Sequence, residues 1–239
     1  MIFTESYDVR WHDTDFNLAA TPSALLTFMQ ETANHHLTYL GTPLDEIRDT
    51  RGVGFILSKL ALQVYAPLHA YDKIDVETWV GDDRGFRFHR AFRILRDNET
   101  IAEALTVWGL IRLSDHSLVR VEEFDAPFQP EPLPEIKVPV RIRFPLDPLL
   151  DRGSRTIRYS DIDYNEHMNN TRYPNMICDF LPDMKEKYVS SMNLSYVNEA
   201  HLGETIRGFA RQDGDAWYVR TLRENGDTNA EARVTLADL

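Results

Sequence analysis

The feature that most constrains this chain is an internal repeat. Arg10-Trp-His-Asp13-Thr-Asp15-Phe-Asn17 returns as Arg158-Tyr-Ser-Asp161-Ile-Asp163-Tyr-Asn165, with Arg, Asp, Asp and Asn at one constant offset of 148 residues. A repeat of this kind implies two copies of one supersecondary unit. At 239 residues the chain is long enough for two small domains. The joint is marked by proline: seven of the 12 prolines fall between Pro127 and Pro148. Proline fixes φ and removes a backbone donor, so this stretch is neither helix nor central strand. The expected division is 1–126, a linker at 127–148, and 149–239.

The residues after each copy support the duplication. Thr21 can cap a helix, Pro22 suits its first turn and Gly41 can end it. Between them Leu25, Leu26, Met29, Ala33, Leu37 and Leu40 recur at helical spacing. After the second copy, Pro174 sits in a first turn and Pro182 marks the end of a shorter helix of the same kind. Strand patterning comes next at 55–67, 72–82, 85–97 and 100–113, and again at 188–199, 203–212, 215–224 and 229–237. Each half therefore reads strand, helix, then about four strands. The simplest packing is α+β, with the helix against one face of an antiparallel sheet.

Charge and composition exclude several classes. A net charge of −12 argues against a nucleic-acid partner. The lone Cys178 cannot form an internal disulfide. No apolar run approaches the length of a membrane span, and the N-terminus lacks the basic start and apolar run of a signal peptide. A cytoplasmic protein without membrane partners is expected. The histidines are scattered and show no metal-ligand spacing, so neither a metal nor a cofactor is implied.

The densest chemistry lies in Asp161-Ile-Asp163-Tyr-Asn165-Glu-His167-Met-Asn169-Asn170. In an extended segment Asp161, Asp163, Asn165 and His167 would share one side. The helix after them starts with unpaired N–H groups that could stabilise an oxyanion. A carboxylate can act as base, a histidine as acid, base or donor, and an amide as donor to a carbonyl oxygen. Asp and Asn before a helix serve equally well as caps and turn formers. The repeat separates the two roles in part, since Asn165 is matched by Asn17, whereas His167 is matched by Ala19 and Asn169 by Thr21.

The run DIDYNEHMNNTRY resembles the signature of the plant-type and bacterial acyl-acyl carrier protein thioesterases. Their Asp-x-Asn-x-His-x-Asn-Asn core matches at Asp163, Asn165, His167, Asn169 and Asn170. Their downstream Asp-Tyr-Arg-Arg-Glu-Cys-like segment is here Ser195-Tyr196-Val197-Asn198-Glu199-Ala200, which keeps the glutamate and has alanine in place of the cysteine. Gln30-Glu31-Thr32-Ala33-Asn34-His35 and Thr106-Val107-Trp108 resemble first-half segments of the same family. The resemblance implies two tandem hot-dog domains, each a long helix on a curled antiparallel sheet. It implies hydrolysis of fatty acyl-carrier protein by Asp163, Asn165, His167 and Glu199. On that view Glu199 or Asp163 deprotonates water and the other carboxylate orients its neighbour. Asn165, His167, Asn169, Asn170 and helix-start amides hold the thioester. The first half, with Pro67 near the position of Glu199, binds the acyl chain, and Leu25, Met29 and Ala33 are candidate lining.

The implied partner, acyl carrier protein, is itself acidic, so a basic patch is needed on an acidic chain. Arg84, Arg87, Arg90, Arg93 and Arg96 fall within 13 residues that contain no acid, and Arg87 and Arg90 are the docking candidates. Surface salt bridges are the competing use of these arginines. An acyl-coenzyme A thioesterase and an acyl-binding hot-dog protein without catalysis are the alternative functions. Two fused hot dogs mimic the usual hot-dog dimer, so a monomer suffices and a homodimer is compatible.

Overall fold

In the computed structural model, which describes residues 1–124 and 127–239, the helix expected after the first repeat is α1 (Pro22–Tyr39). Thr21 Oγ1 accepts from Ala24 N at 3.1 Å, and Pro22 occupies the first turn. Gly41 ends the helix with φ of +72°, a left-handed conformation that costs glycine little. Leu25, Leu26, Phe28, Met29, Ala33 and Leu37 are buried on one face. The second helix, α3 (Tyr173–Asp179), has only seven residues, unlike the long helix expected in each half. Phe180 turns off its end and lies flat on Gly208, where a Cβ would come within 2.1 Å of the ring, and Pro182 comes soon after. A short helix, α2 (Leu44–Asp49), was not expected from the sequence.

The strands of the first half are β1 (Phe3–Asp8), β2 (Val53–Val64), β3 (Lys73–Val80), β4 (Phe88–Arg96), β5 (Glu99–Arg112) and the two-residue β6 (Leu118–Val119). Those of the second are β7 (Leu150–Thr156), β8 (Lys187–Tyr196), β9 (Thr205–Asp213), β10 (Ala216–Leu222) and β11 (Thr228–Asp238). All pair antiparallel in one sheet of order β1-β3-β4-β5-β2-β8-β11-β10-β9-β7, with β6 on β5. The halves meet where β2 pairs with β8, Leu60 opposite Leu194. This is the tandem hot-dog architecture. One core runs through both halves, with Met29, Leu60, Met176, Met192 and Leu194 nearly or fully buried. Burying each such side chain contributes about 1.5–3 kcal/mol. Ser23 Oγ accepts from Asn175 N, and Asn175 Oδ1 accepts from Ser23 N, at 3.0 and 3.1 Å, so the two helix starts bond each other.

The proline-rich segment 127–148 contains no helix or strand and is packed along the sheet. Ile136 and Val138 cover Trp79, Ala91 and Leu105, on the face opposite α1. Trp79 Nε1 donates to Pro132 O at 2.9 Å, Lys59 Nζ donates to Pro139 O at 2.9 Å, and the Arg220 guanidinium lies 4.3 Å from the centre of the Phe144 ring. The expected boundary at residue 126 lies outside the described residues. Among the described residues no helix is long and apolar enough to cross a membrane.

Candidate active site

The repeated sequence builds the same turn twice, bond for bond. Asp13 Oδ2 accepts from Arg10 N at 2.8 Å, and Asp161 Oδ2 from Arg158 N at 2.9 Å. Asp15 Oδ1 accepts from Asn17 N at 2.8 Å, and Asp163 Oδ1 from Asn165 N at 2.9 Å. Asp15 N donates to Ala19 O and Asp163 N to His167 O, closing a tight loop whose left-handed residue is Leu18 in one copy and Glu166 in the other. Thr21 N then donates to Asp13 O and Asn169 N to Asp161 O. The two shared Asp residues are thus explained by the turn itself. The segment is folded back rather than extended, so Asp161, Asp163, Asn165 and His167 do not share one side as expected. Asp161 is buried and ion-paired to Arg155.

Each turn continues into a matching contact. Ala20 N donates to Leu68 O, and Met168 N to Ala200 O, which aligns Pro67 with Glu199. The copies diverge there. His167 Nδ1 lies 3.2 Å from Glu199 Oε2, and the His167 ring meets His201 edge-on at 4.8 Å. In the first copy Ala19 and Pro67 offer no titratable group. Asn17 and Asn165 diverge too. Asn17 Nδ2 donates to Met184 O and Lys187 O, and its Oδ1 accepts from Glu186 N, so it clamps the second half against its own turn. At the offset that aligns Leu68 with Ala200, the counterparts of Lys185, Glu186 and Lys187 are Val53, Gly54 and Phe55, which stand back from Asn165 and line a cavity beside it.

That cavity has a volume of about 180 Å³. Asp163, Tyr164, Asn165, Asn169 and Asn170 of the second half form one side of it, and all the rest is first-half or linker residues. Ala33 and Leu37 come from α1, Ile47 and Arg48 from α2, Phe55 from β2, Phe88 and Arg90 from β4, and Trp108 from β5. Phe55 packs edge-on to Phe88 and Phe124 at 5.5 Å each. The Arg48 guanidinium sits 5.4 Å from the Tyr164 ring and ties α2 to the second-half turn.

The structure sorts the sequence-based candidates. Asp163, Asn165, Asn169, Asn170 and Ala33 lie on the cavity wall. His167 and Glu199 pair with each other on the other side of the same turn and are not among the lining residues. Leu25 and Met29 do not reach the cavity, because their face of α1 is spent in the common core. The helix start is a 3-10 turn at 170–172, where Asn169 Oδ1 accepts from Thr171 N at 2.9 Å, so that amide is already bonded. Arg87 is exposed, but Arg90 is buried, because strand alternation turns it inward, and it cannot meet a docking partner. Arg93 is ion-paired to Glu77 and Glu103, and Arg96 to Asp72. Burial pushes the Cys178 thiol up to about 12, which removes it as a nucleophile. The residues that sequence reasoning missed are α2's Ile47 and Arg48, whose six-residue helix carries too short a pattern to register. Among the described residues no cluster of side chains could hold a metal ion.

Comparison with known proteins places this geometry. The family models for the acyl-ACP thioesterase N-terminal domain and C-terminal domain match residues 1–127 and 152–237. A palmitoyl-acyl carrier protein thioesterase of Arabidopsis thaliana is 22% identical over 100% of this chain and 61% of its own length. This chain thus spans about three fifths of that curated relative. An acyl-ACP thioesterase from Bacteroides thetaiotaomicron superposes with a TM-score of 0.88 at 23% identity, covering 99% of this chain and 98% of that one. The 12:0-ACP thioesterase from Umbellularia californica does so at 0.82 and 17%, covering 100% and 98%. With both halves matched in order along the chain, the protein belongs to the acyl-ACP thioesterase family.

Proposed function

We propose that this chain hydrolyses fatty acyl-carrier protein thioesters to free fatty acid and holo-carrier protein, as a step of fatty acid biosynthesis. The observation that carries this reading is the His167–Glu199 pair, present in one copy of an otherwise duplicated turn, a turn whose Asp163 and Asn165 line the cavity. Residues that the turn does not need have another use. In this reading 149–239 supplies the chemistry, 1–126 holds the acyl chain, and 127–148 joins them.

With Glu199 at Nδ1, the His167 imidazole presents Nε2 as acceptor to a water molecule. His167 takes the proton as the water oxygen adds to the thioester carbonyl carbon. The Asn165 amide donates to the carbonyl oxygen as it gains charge. The C–S bond then breaks, and the proton on His167 passes to the departing pantetheine sulfur. Asp163 is assigned the building of the turn, since Asp15 makes the same bond in a copy with no histidine. Ala200 in the cysteine position and the partly buried Cys178, its thiol pushed up, both fit a route without a thiol nucleophile. The exposed Arg84 and Arg87 remain to meet the acidic carrier protein.

The test is thiol release from acyl-carrier protein and acyl-coenzyme A, with His167→Ala alongside. Turnover of the carrier-protein substrate that the substitution abolishes is expected. Preference for coenzyme A would move the substrate class, and acyl binding without hydrolysis of either would leave a binding protein. Arg87→Glu is expected to raise KM for acyl-carrier protein and to leave kcat unchanged.

A further inference from the structure

The first-half wall of the cavity holds a charge that a pocket for plain hydrocarbon does not need. Arg90 lies on β4, and β5 and β2 stand between it and β8 of the second half. It lines the cavity from the first half, whereas Asp163 and Asn165 line it from the second-half turn. Its side chain lines the cavity and is only 8% exposed. Among the described residues no carboxylate pairs with it. Nη1 donates to His36 Nδ1 at 3.1 Å and to Thr78 Oγ1 at 3.3 Å, and Phe128 lies 5.8 Å from the guanidinium carbon.

A guanidinium has five N–H donors. The two on Nη1 are used, and those on Nε and Nη2 have no hydrogen-bond partner among the described residues. Burial pushes Arg90 down to about 10, so it keeps its charge near neutrality. Burial and the Arg90 charge push His36 down to about 4, so the imidazole is neutral there and accepts from Arg90 without bringing a charge of its own. On the same cavity wall Gln30 Oε1 is buried without a hydrogen-bond partner. An unpaired buried cation is costly, and a ligand oxygen would relieve it by accepting from Arg90; a ligand hydroxyl could also donate to Gln30 Oε1.

We propose that the cavity takes acyl groups bearing an oxygen function, hydroxyl or carboxylate, at the end remote from the thioester, and that Arg90 holds that oxygen. This rests on the reading that the cavity binds the acyl chain. Arg90 is then a specificity-determining residue, and its free N–H groups are the donors.

The experiment compares three carrier-protein thioesters of equal length: dodecanoyl, ω-hydroxydodecanoyl and the half-thioester of dodecanedioic acid. Each is hydrolysed by the wild-type chain, Arg90→Met and Arg90→Lys. Binding of free dodecanoic and dodecanedioic acids is measured in parallel by calorimetry. The wild type is expected to favour an oxygenated substrate by about tenfold or more in kcat/KM, and its oxygenated acid by a like factor in Kd, the worth of one good hydrogen bond to a charged group. Arg90→Met should reverse the preference, and Arg90→Lys should keep part of it. A wild-type preference for the plain chain in both assays, with the ratio unmoved in Arg90→Met, would make Arg90 an end wall and overturn the proposal. If nothing is hydrolysed but the acids still bind, hydrolysis fails as the function and the binding arm alone decides. If neither acid binds, the acyl reading of the cavity and this proposal fall together. Arg90→Met is close in size and removes a buried charge, so it should fold, and circular dichroism checks that it does.

Discussion

His36 shows how one buried residue sets a pH response. Its imidazole accepts from Arg90, stacks on Phe3 at 5.2 Å and is held down to about 4 from the ordinary 6.5. In the unfolded chain it titrates near 6.5, so as pH falls the unfolded state takes up the proton first. The stability this group contributes is complete above that value and is lost as pH drops toward 4, by up to about 3 kcal/mol. Urea midpoints across this range should fall in the wild type and fall less steeply in His36→Gln; equal slopes would clear His36 of the effect. The other residue-scale expectation concerns catalysis. His167→Ala and Glu199→Gln should each lower kcat/KM by about 10²–10⁴-fold, with little change in stability, since both side chains are partly exposed. These two lie 32 positions apart in the sequence. Nothing in composition or spacing joins them, and family resemblance paired them before the fold brought them to 3.2 Å. The strand pattern splits the arginines between two faces, but the sequence does not say which face is buried, and the structure turns Arg90 inward.

At the scale of elements, the two turns give a paired test. Asn17 and Asn165 are equivalent in the repeat, yet one bonds three backbone groups of the other half and the other faces the cavity. Asn17→Ala should cost about 1–2 kcal/mol in a denaturant titration, through lost hydrogen bonds, and leave kcat within twofold. Asn165→Ala should do the reverse, lowering kcat by about 10²-fold or more at nearly unchanged stability. If both variants behave alike, the division between clamp and site is wrong. The α3–β9 junction offers a second check. Gly208→Ala would place a methyl within 2.1 Å of Phe180, so a loss of about 1–3 kcal/mol is expected from overpacking, and the two changes should be less than additive when Phe180 is cut back to Ala. The strands were legible in the sequence because each is bounded by turn residues, and β3 and β9 fall within two residues of their expected limits. The length of α1 was legible too, from Thr21 to Gly41. That the second helix is shorter was legible from Pro174 and Pro182, but the packing of Phe180 on Gly208 was not, because it is a contact between residues far apart in the chain.

At the scale of the molecule, the pairing of β2 with β8 and a core shared by both halves make the two repeats one folding unit. Far-UV circular dichroism and tryptophan fluorescence should therefore give a single coincident unfolding transition. Trp79 and Trp108 report from the first half and Trp217 from the second, so two resolved steps would show that the halves unfold separately. The duplication was legible from the repeat, and the role of the proline-rich segment was only half legible. Its prolines excluded helix and strand, yet they could not show that Ile136 and Val138 would be laid on Trp79, Ala91 and Leu105. That packing bears on solubility. An apolar patch on the back of a sheet is where a second molecule would stick. Here the chain has filled the place with itself, so clipping or deleting the segment should raise aggregation as read by light scattering, before any loss of the residues around His167.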